Sequence, residues 1–170
     1  MLSRTFLWPQ GYTSAAMISV NLDAEFYGRI FYPGIDVSEG DIQRLGWTGM
    51  EYGLPHLLDC FREHGVKGTF FIPGRVAELY PDAVRAIADA GHELGCHGYE
   101  HEILAHFTPE EQLELLKKAK AAIEKAAGRA VTGFRMPEGR SQNRHLWRQR
   151  KRALPIPAPC PTRYVPYIRQ

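Results

Sequence analysis

Two histidines four residues apart, His97 and His101, stand in the stretch Gly95-Cys96-His97-Gly98-Tyr99-Glu100-His101. Imidazoles at that spacing can ligate one metal ion, but seven histidines in 170 residues give about 0.3 such pairs by chance. The company they keep lifts the pair above chance. Asp23 and Glu25 follow the apolar run of residues 15–22, and Arg135 and Glu138 close the run that begins at Val131. One aspartate and two imidazoles are a sufficient protein shell for a divalent cation, zinc above all, with positions left for water and substrate. Such an ion lowers the pKa of a bound water and polarises a carbonyl oxygen. Glu25 or Glu138 can take the water's proton, and Arg135 can hold that carboxylate or the substrate in place. The chemistry predicted is hydrolysis of an amide or ester.

The elements that must position these groups alternate between strand and helix. Residues 15–22 read as a buried strand, and the Gly- and aromatic-rich residues 24–53 read as a long binding loop. Leu54 to His64 has helical spacing and stops at Gly65, and Val66 to Ile72 reads as a strand closed by Pro73-Gly74. A helix follows over 81–90, then a strand over 92–97. Thr108-Pro109-Glu110-Glu111 supplies an N-cap, a proline at the first helical position and a capping-box glutamate. That helix runs to about Ala127 and ends at Gly128, and residues 131–135 form a fourth strand. The alternation predicts an α/β fold with parallel strands, in which chemistry gathers at the strands' C-terminal ends. Asp23, the histidine pair and Arg135 all fall at such ends. Side-chain alternation along the first strand puts positions 21, 23 and 25 on one face, and turns Cys96 away from His97 into the core.

The strand-end Asp23, the HGYEH pair at 97–101 and RMPEG at 135–139 together resemble the polysaccharide deacetylase family of carbohydrate esterases (the NodB-homology domain). KGTFFIPG, AGHELGCHGYEH and TPEEQ extend the resemblance over about residues 13–139. It implies an irregular (β/α) barrel, here incomplete at its C-terminal side, with a divalent metal held by Asp23, His97 and His101. It implies Arg135 as the residue that orients the base, and removal of acetyl groups from N-acetylated or O-acetylated sugars. The long aromatic segment resembles that of a peptidoglycan deacetylase-like branch; its Phe26, Tyr27 and Trp47 could stack on sugar rings, and with Tyr99 they are the candidates to bind the sugar. The family's first motif usually carries two aspartates, a base and a ligand; here Asn21 stands two residues before Asp23. An amide cannot accept a proton, so Glu25 or Glu138 must serve as base, or the activity is altered. Two other readings stay open: a metal-independent hydrolase of small cyclic amides (allantoinase-like), and a catalytically inactive truncated homologue.

Composition bounds the rest. Apolar content of 44% and charged content of 24% fit one globular domain. No apolar run is long enough for a membrane span, and no secretory leader is read at the N-terminus. Cys60, Cys96 and Cys160 are odd in number and far apart, which favours a reducing, cytoplasmic setting. The net charge of +2 hides a split: residues 1–139 carry 13 Lys/Arg against 19 Asp/Glu, while residues 140–170 carry eight Lys/Arg and no acid. Five of the twelve prolines also lie in 140–170. We therefore read 1–139 as the N-terminal part of a deacetylase-like domain. The basic, Pro-rich 140–170 has no counterpart in the family's pattern, and we read it as a frame change or truncation, with an arm for nucleic acid or a partner as the rival. The partner expected is a carbohydrate or small amide substrate, with no membrane and no nucleic-acid motif beyond that tail. Homo-oligomerisation is left open.

Overall fold

Short segments build the sheet: Thr69–Ile72 is buried throughout, while the edge segments Ser19–Asn21 and Gly133–Phe134 are partly exposed. In the computed structural model, which describes residues 16–26 and 38–137, β1 (Ser19–Asn21), β2 (Thr69–Ile72), β3 (Glu93–Cys96) and β4 (Gly133–Phe134) form one parallel sheet. The strand order is β1-β2-β3-β4. Sequential order is that of a (β/α) barrel wall; a doubly wound sheet reverses direction at a switch point. The register aligns Asn21 with Phe71, Phe71 with Gly95, and Gly95 with Gly133. Two residues beyond that shared row come Asp23, His97 and Arg135. Equal distance from one row puts them at one level and one parity. The register itself assembles the site.

The helices are α1 (Glu39–Thr48), α2 (Leu54–Glu63), α3 (Gly74–Leu79), α4 (Pro81–Asp89) and α5 (Pro109–Ala127). The core lies between sheet and helices, with Phe70, Ile72, Val76, Val84, Ile87, Leu116 and Ile123 fully buried. Helix α5 starts as its sequence demands. Thr108 Oγ1 accepts from the Glu111 amide at 3.3 Å, and Glu111 Oε2 accepts from the Thr108 amide at 2.7 Å. It stops at Gly128, whose φ of 69° only glycine adopts cheaply. A Cβ at Gly128 would also strike the Arg85 guanidinium, which donates to the Ala127 carbonyl at 2.8 Å.

Three expectations need correction. Residues 24–53 are not one long loop: a 3-10 turn spans Ala24–Phe26, α1 spans Glu39–Thr48, and a π-helical turn, Gly49–Gly53, runs straight into α2. Ser38 caps α1 by accepting from the Asp41 amide at 3.1 Å. One of the glycines that suggested a loop has another cause: α1 packs on the 24–26 turn, and a Cβ at Gly46 would overlap the backbone of Glu25. Second, helix α3 follows Pro73 directly, in a segment too short for periodicity to mark. Third, strand alternation does not reach Glu25, because β1 ends at Asn21 and Ala24 turns to φ 48°. The tail 140–170, with the remaining residues outside 16–26 and 38–137, lies outside the described residues.

Replacing Thr108 with alanine removes the cap of α5 and is expected to lower stability by about 1 kcal/mol. A urea unfolding midpoint measured at constant slope checks this.

Candidate metal centre

Each of the three strand ends delivers its residue by a different local device. After β1, Leu22 donates to the Phe71 carbonyl at 2.9 Å, so the chain stays in register until Asp23. The Asp23 carbonyl then accepts from Phe26 at 2.9 Å, closing the turn. After β3, His97 extends the ladder by donating to Ile72 at 2.9 Å. The loop that follows is gathered by Glu102, whose carboxylate accepts from the Tyr99 amide at 2.9 and 3.1 Å and from the Glu100 amide at 2.6 Å. Backbone amides of Gly74 and Arg75 bind the carbonyls of Gly98 and Tyr99 at 3.0 and 2.8 Å, tying the loop to α3. His101 sits at φ 59°, a left-handed conformation rare for residues other than glycine and common at functional sites. That turn brings its ring back to within 4.8 Å of His97, centroid to centroid.

Asp23, His97 and His101 are all buried, and the ligand atom each one offers lies within 4.8 Å of the other two. His97 Nδ1 lies 2.8 Å from the Arg135 carbonyl, so that nitrogen carries the proton and donates. Nε2 is therefore a lone pair, and it faces Asp23 Oδ1 at 3.6 Å. His101 Nε2 lies 3.7 Å from Asp23 Oδ2. Burial pushes the His97 imidazole down to about 4, against a smaller upward pull from its bond to Arg135, so it is neutral at ordinary pH. Two acceptors thus face each other across a distance too long for a hydrogen bond.

A cation answers that geometry. Metal–nitrogen and metal–oxygen bonds of about 2.0–2.2 Å sum to a little over 4 Å, so a bent arrangement spans 3.6 Å. His97 Nε2 and His101 Nδ1 are buried nitrogens with no hydrogen-bond partner, and each such atom costs about 1–3 kcal/mol if left so. The donor set of one carboxylate and two imidazoles fits a borderline divalent ion.

Arg135 holds the centre together twice. Its carbonyl fixes His97, the outer-shell bond that metal-binding histidines usually make. Its guanidinium donates to Asn21 Oδ1 and to Ser19 Oγ, both at 2.7 Å, and lies 4.0 Å from the centre of the Phe71 ring. Sequence reasoning has Arg135 holding a carboxylate or the substrate; its contacts here include the Asn21 amide and the Ser19 hydroxyl. Glu25 is part-buried and accepts from the Tyr80 hydroxyl at 3.2 Å. Trp47 is half exposed, edge-on to Tyr52 at 5.7 Å. Phe26 and Tyr99 are buried core residues rather than open sugar platforms: Tyr99 donates to Glu78 at 2.9 Å and Lys118 covers its ring. Their side chains turn inward because the 24–26 turn and the 98–102 loop pack on α1 and α3. Tyr27 and Glu138 lie outside the described residues. Cys96 is buried and its thiol is pushed up to about 12, so it is inert. Sequence reasoning missed Glu102 and Ser19; a carboxylate directly after the second histidine was the only signal for the first.

Comparison with known proteins decides the family. The profile of the polysaccharide deacetylase family matches residues 47–156. The chain belongs to that family. The match begins after Asp23 and runs past the composition change at 139/140. A peptidoglycan deacetylase of Helicobacter pylori is 38% identical over 106 residues, which cover 62% of this chain and 36% of that protein. A peptidoglycan-N-acetylglucosamine deacetylase of Bacillus cereus is 38% identical over 85 residues, or 50% of this chain and 31% of that one. The chain thus spans about a third of the length of these relatives. Among solved structures, a polysaccharide deacetylase-type protein from Mycobacterium smegmatis superposes with a TM-score of 0.73 at 31% identity, covering 86% of this chain and 51% of the other. A CE4 family pseudoenzyme from Bacillus anthracis gives 0.58 at 31% identity, covering 62% and 37%. With these neighbours, the four sequential strands are those of the α/β deacetylase fold.

Two outcomes test the site's construction. Changing Glu102 to glutamine weakens its hold on two amides, and exchange at Tyr99 and Glu100 should speed up at least roughly tenfold, read by hydrogen-exchange NMR. The second concerns pH. His97 is held below its unfolded value of about 6.5, so the metal-free protein has its full contribution above that value. It loses stability as pH falls toward about 4, because the unfolded chain binds the proton first. Urea midpoints from pH 7 to pH 4 should fall less steeply in His97→Gln than in the unaltered chain.

Proposed function

We propose that this chain is a metal-dependent hydrolase that removes acetyl groups from N-acetylated sugars of peptidoglycan or a related polysaccharide, with zinc as its ion. The observation that carries this reading is the pair of facing acceptors, His97 Nε2 and Asp23 Oδ1 at 3.6 Å, with His101 beside them. Bound there, a divalent ion supplies a Lewis acid for the acetyl carbonyl and an acidified water. The rest is the work of the chain. Asp23, His97 and His101 hold the ion, and the Arg135 carbonyl keeps His97 in the tautomer that can bind it. Glu25 is the carboxylate we assign to accept the water's proton and return it to the leaving amine. It lies two residues past Asp23, and the Tyr80 hydroxyl fixes one of its oxygens. The named deacetylases among the relatives support the substrate class.

Acetate release from tetra-N-acetylchitotetraose tests the assignment. Loss of activity on chelation, restored by zinc, is expected. Glu25→Gln should lower turnover by roughly 10²–10⁴; unchanged turnover would move the base elsewhere, Glu138 first.

A second reading has its own observation. Asn21 occupies the position at which the family's pattern places a base, and its amide oxygen accepts from Arg135 rather than taking a proton. The chain would then bind metal and stay catalytically silent, in the manner implied by the name of its pseudoenzyme neighbour. Asn21→Asp separates the two: a gain of tenfold or more in acetate release favours the silent reading, and no gain favours Glu25.

A further inference from the structure

The N-terminal ends of the strands, opposite the metal centre, hold another buried histidine. His92 directly precedes β3 and is 2% exposed. Its ring lies between those of Phe61 on α2 and Phe70 on β2, with centroids 5.3 and 5.2 Å away. His92 Nδ1 accepts from the Gly68 backbone amide at 3.1 Å. A backbone N–H only donates, so Nδ1 presents a lone pair and the proton of the neutral ring sits on Nε2.

That contact stands where three strands begin. Gly68 directly precedes β2, and its carbonyl accepts from the Glu93 amide at 3.0 Å. The next amide, that of Thr69, donates at 3.0 Å to the carbonyl of Ile18, the residue before β1. The Thr69 hydroxyl donates to Glu93 Oε2 at 2.8 Å. Two successive side chains, His92 and Glu93, thus clasp the entry of the neighbouring strand. A parallel ladder sends its amides to backbone carbonyls. Here the chain has just turned at Gly91, φ 80°, and the imidazole takes the Gly68 amide instead. Strand β2 also carries the metal centre's scaffold, since the Phe71 and Ile72 carbonyls hold the amides of Leu22 and His97.

The clasp works in one protonation state only. A proton on Nδ1 would face the Gly68 N–H, donor against donor, and leave a buried amide without its acceptor. The surroundings oppose the charge as well. Lys67, from the segment before β2, donates to the Ala90 carbonyl, and Arg129, from the segment after α5, donates to the carbonyl of His92 itself. Among the described residues these two cations are the charged groups that bear on the ring. Helix α2 and strand β2 face it with phenylalanines, and Glu93 is turned to Thr69. Burial first, then Lys67 and Arg129, hold the imidazole below its usual value.

We infer that His92 is an acid-released clasp: taking a proton at Nδ1 frees the Gly68 amide and opens the entry of β2 before the rest of the fold gives way. The clasp is fully made above the unfolded value of about 6.5. It weakens as pH falls below that value, because the opened segment binds the proton more readily than the closed one. Neither metal nor substrate takes part, so the inference stands apart from the deacetylase reading.

Amide hydrogen exchange of the full chain, followed by NMR between about pH 7.5 and about pH 5 on either side of that value, tests it. Protection at Gly68 and Glu93 should fall at least roughly tenfold relative to Ala119 and Ile123 in α5, and the His92 ring should titrate below about 6.5. In His92→Asn the side-chain oxygen can take the Gly68 amide but does not titrate, so the extra fall should vanish. Protection at Gly68 that tracks α5 throughout, a His92 ring titrating at or above about 6.5, or the same extra fall in His92→Asn would each overturn the clasp. If His92→Asn does not fold, the exchange and the ring titration of the unaltered chain decide it.

Discussion

An aspartate and two imidazoles buried within 4.8 Å of one another are an arrangement that a folded chain does not keep without a reason. Each polar group leaves water at a cost, and two acceptors set face to face add repulsion to desolvation. The 3.6 Å between Asp23 Oδ1 and His97 Nε2 is beyond a hydrogen bond. A cation resolves the conflict in one step, turning facing lone pairs into a ligand set. The surrounding structure holds these three side chains together.

The sheet register does most of the holding. Because Asn21, Phe71, Gly95 and Gly133 share a row, the residues two positions on emerge level, and a slip of one residue in β1 or β3 would turn Asp23 or His97 away from the centre. Arg135 ties the strands together from both ends of its own residue: its carbonyl orients His97, and its guanidinium grips Asn21 and Ser19 of the sheet's first strand. Glu102 performs the same service for the loop. It allows His101 to hold a left-handed backbone that would otherwise relax.

Much of this was legible in the sequence. The strand–helix alternation, the Thr108 cap, the Gly128 stop and the convergence of Asp23, His97, His101 and Arg135 at strand ends all rest on local patterns, and each reappears in the structure. What was illegible depends on packing. Gly46 looks like a loop residue until α1 is seen lying against the backbone of Glu25. The alternation argument that put Glu25 beside Asp23 failed because one residue, Ala24, takes a positive φ. Tyr99 is among the residues expected to bind the sugar, but Glu78 and Lys118 claim both its hydroxyl and its ring. Patterns of residue type predict where strands end; they do not predict which way the chain turns afterwards.

The central claim is that Asp23, His97 and His101 form one metal site, and titrating the metal-free chain with zinc at neutral pH tests it most directly. The account predicts one tightly bound ion per chain, and the loss of that ion's heat signal when Asp23 is replaced with alanine. Full uptake by the Asp23→Ala protein, or no uptake by the unaltered chain, would contradict it.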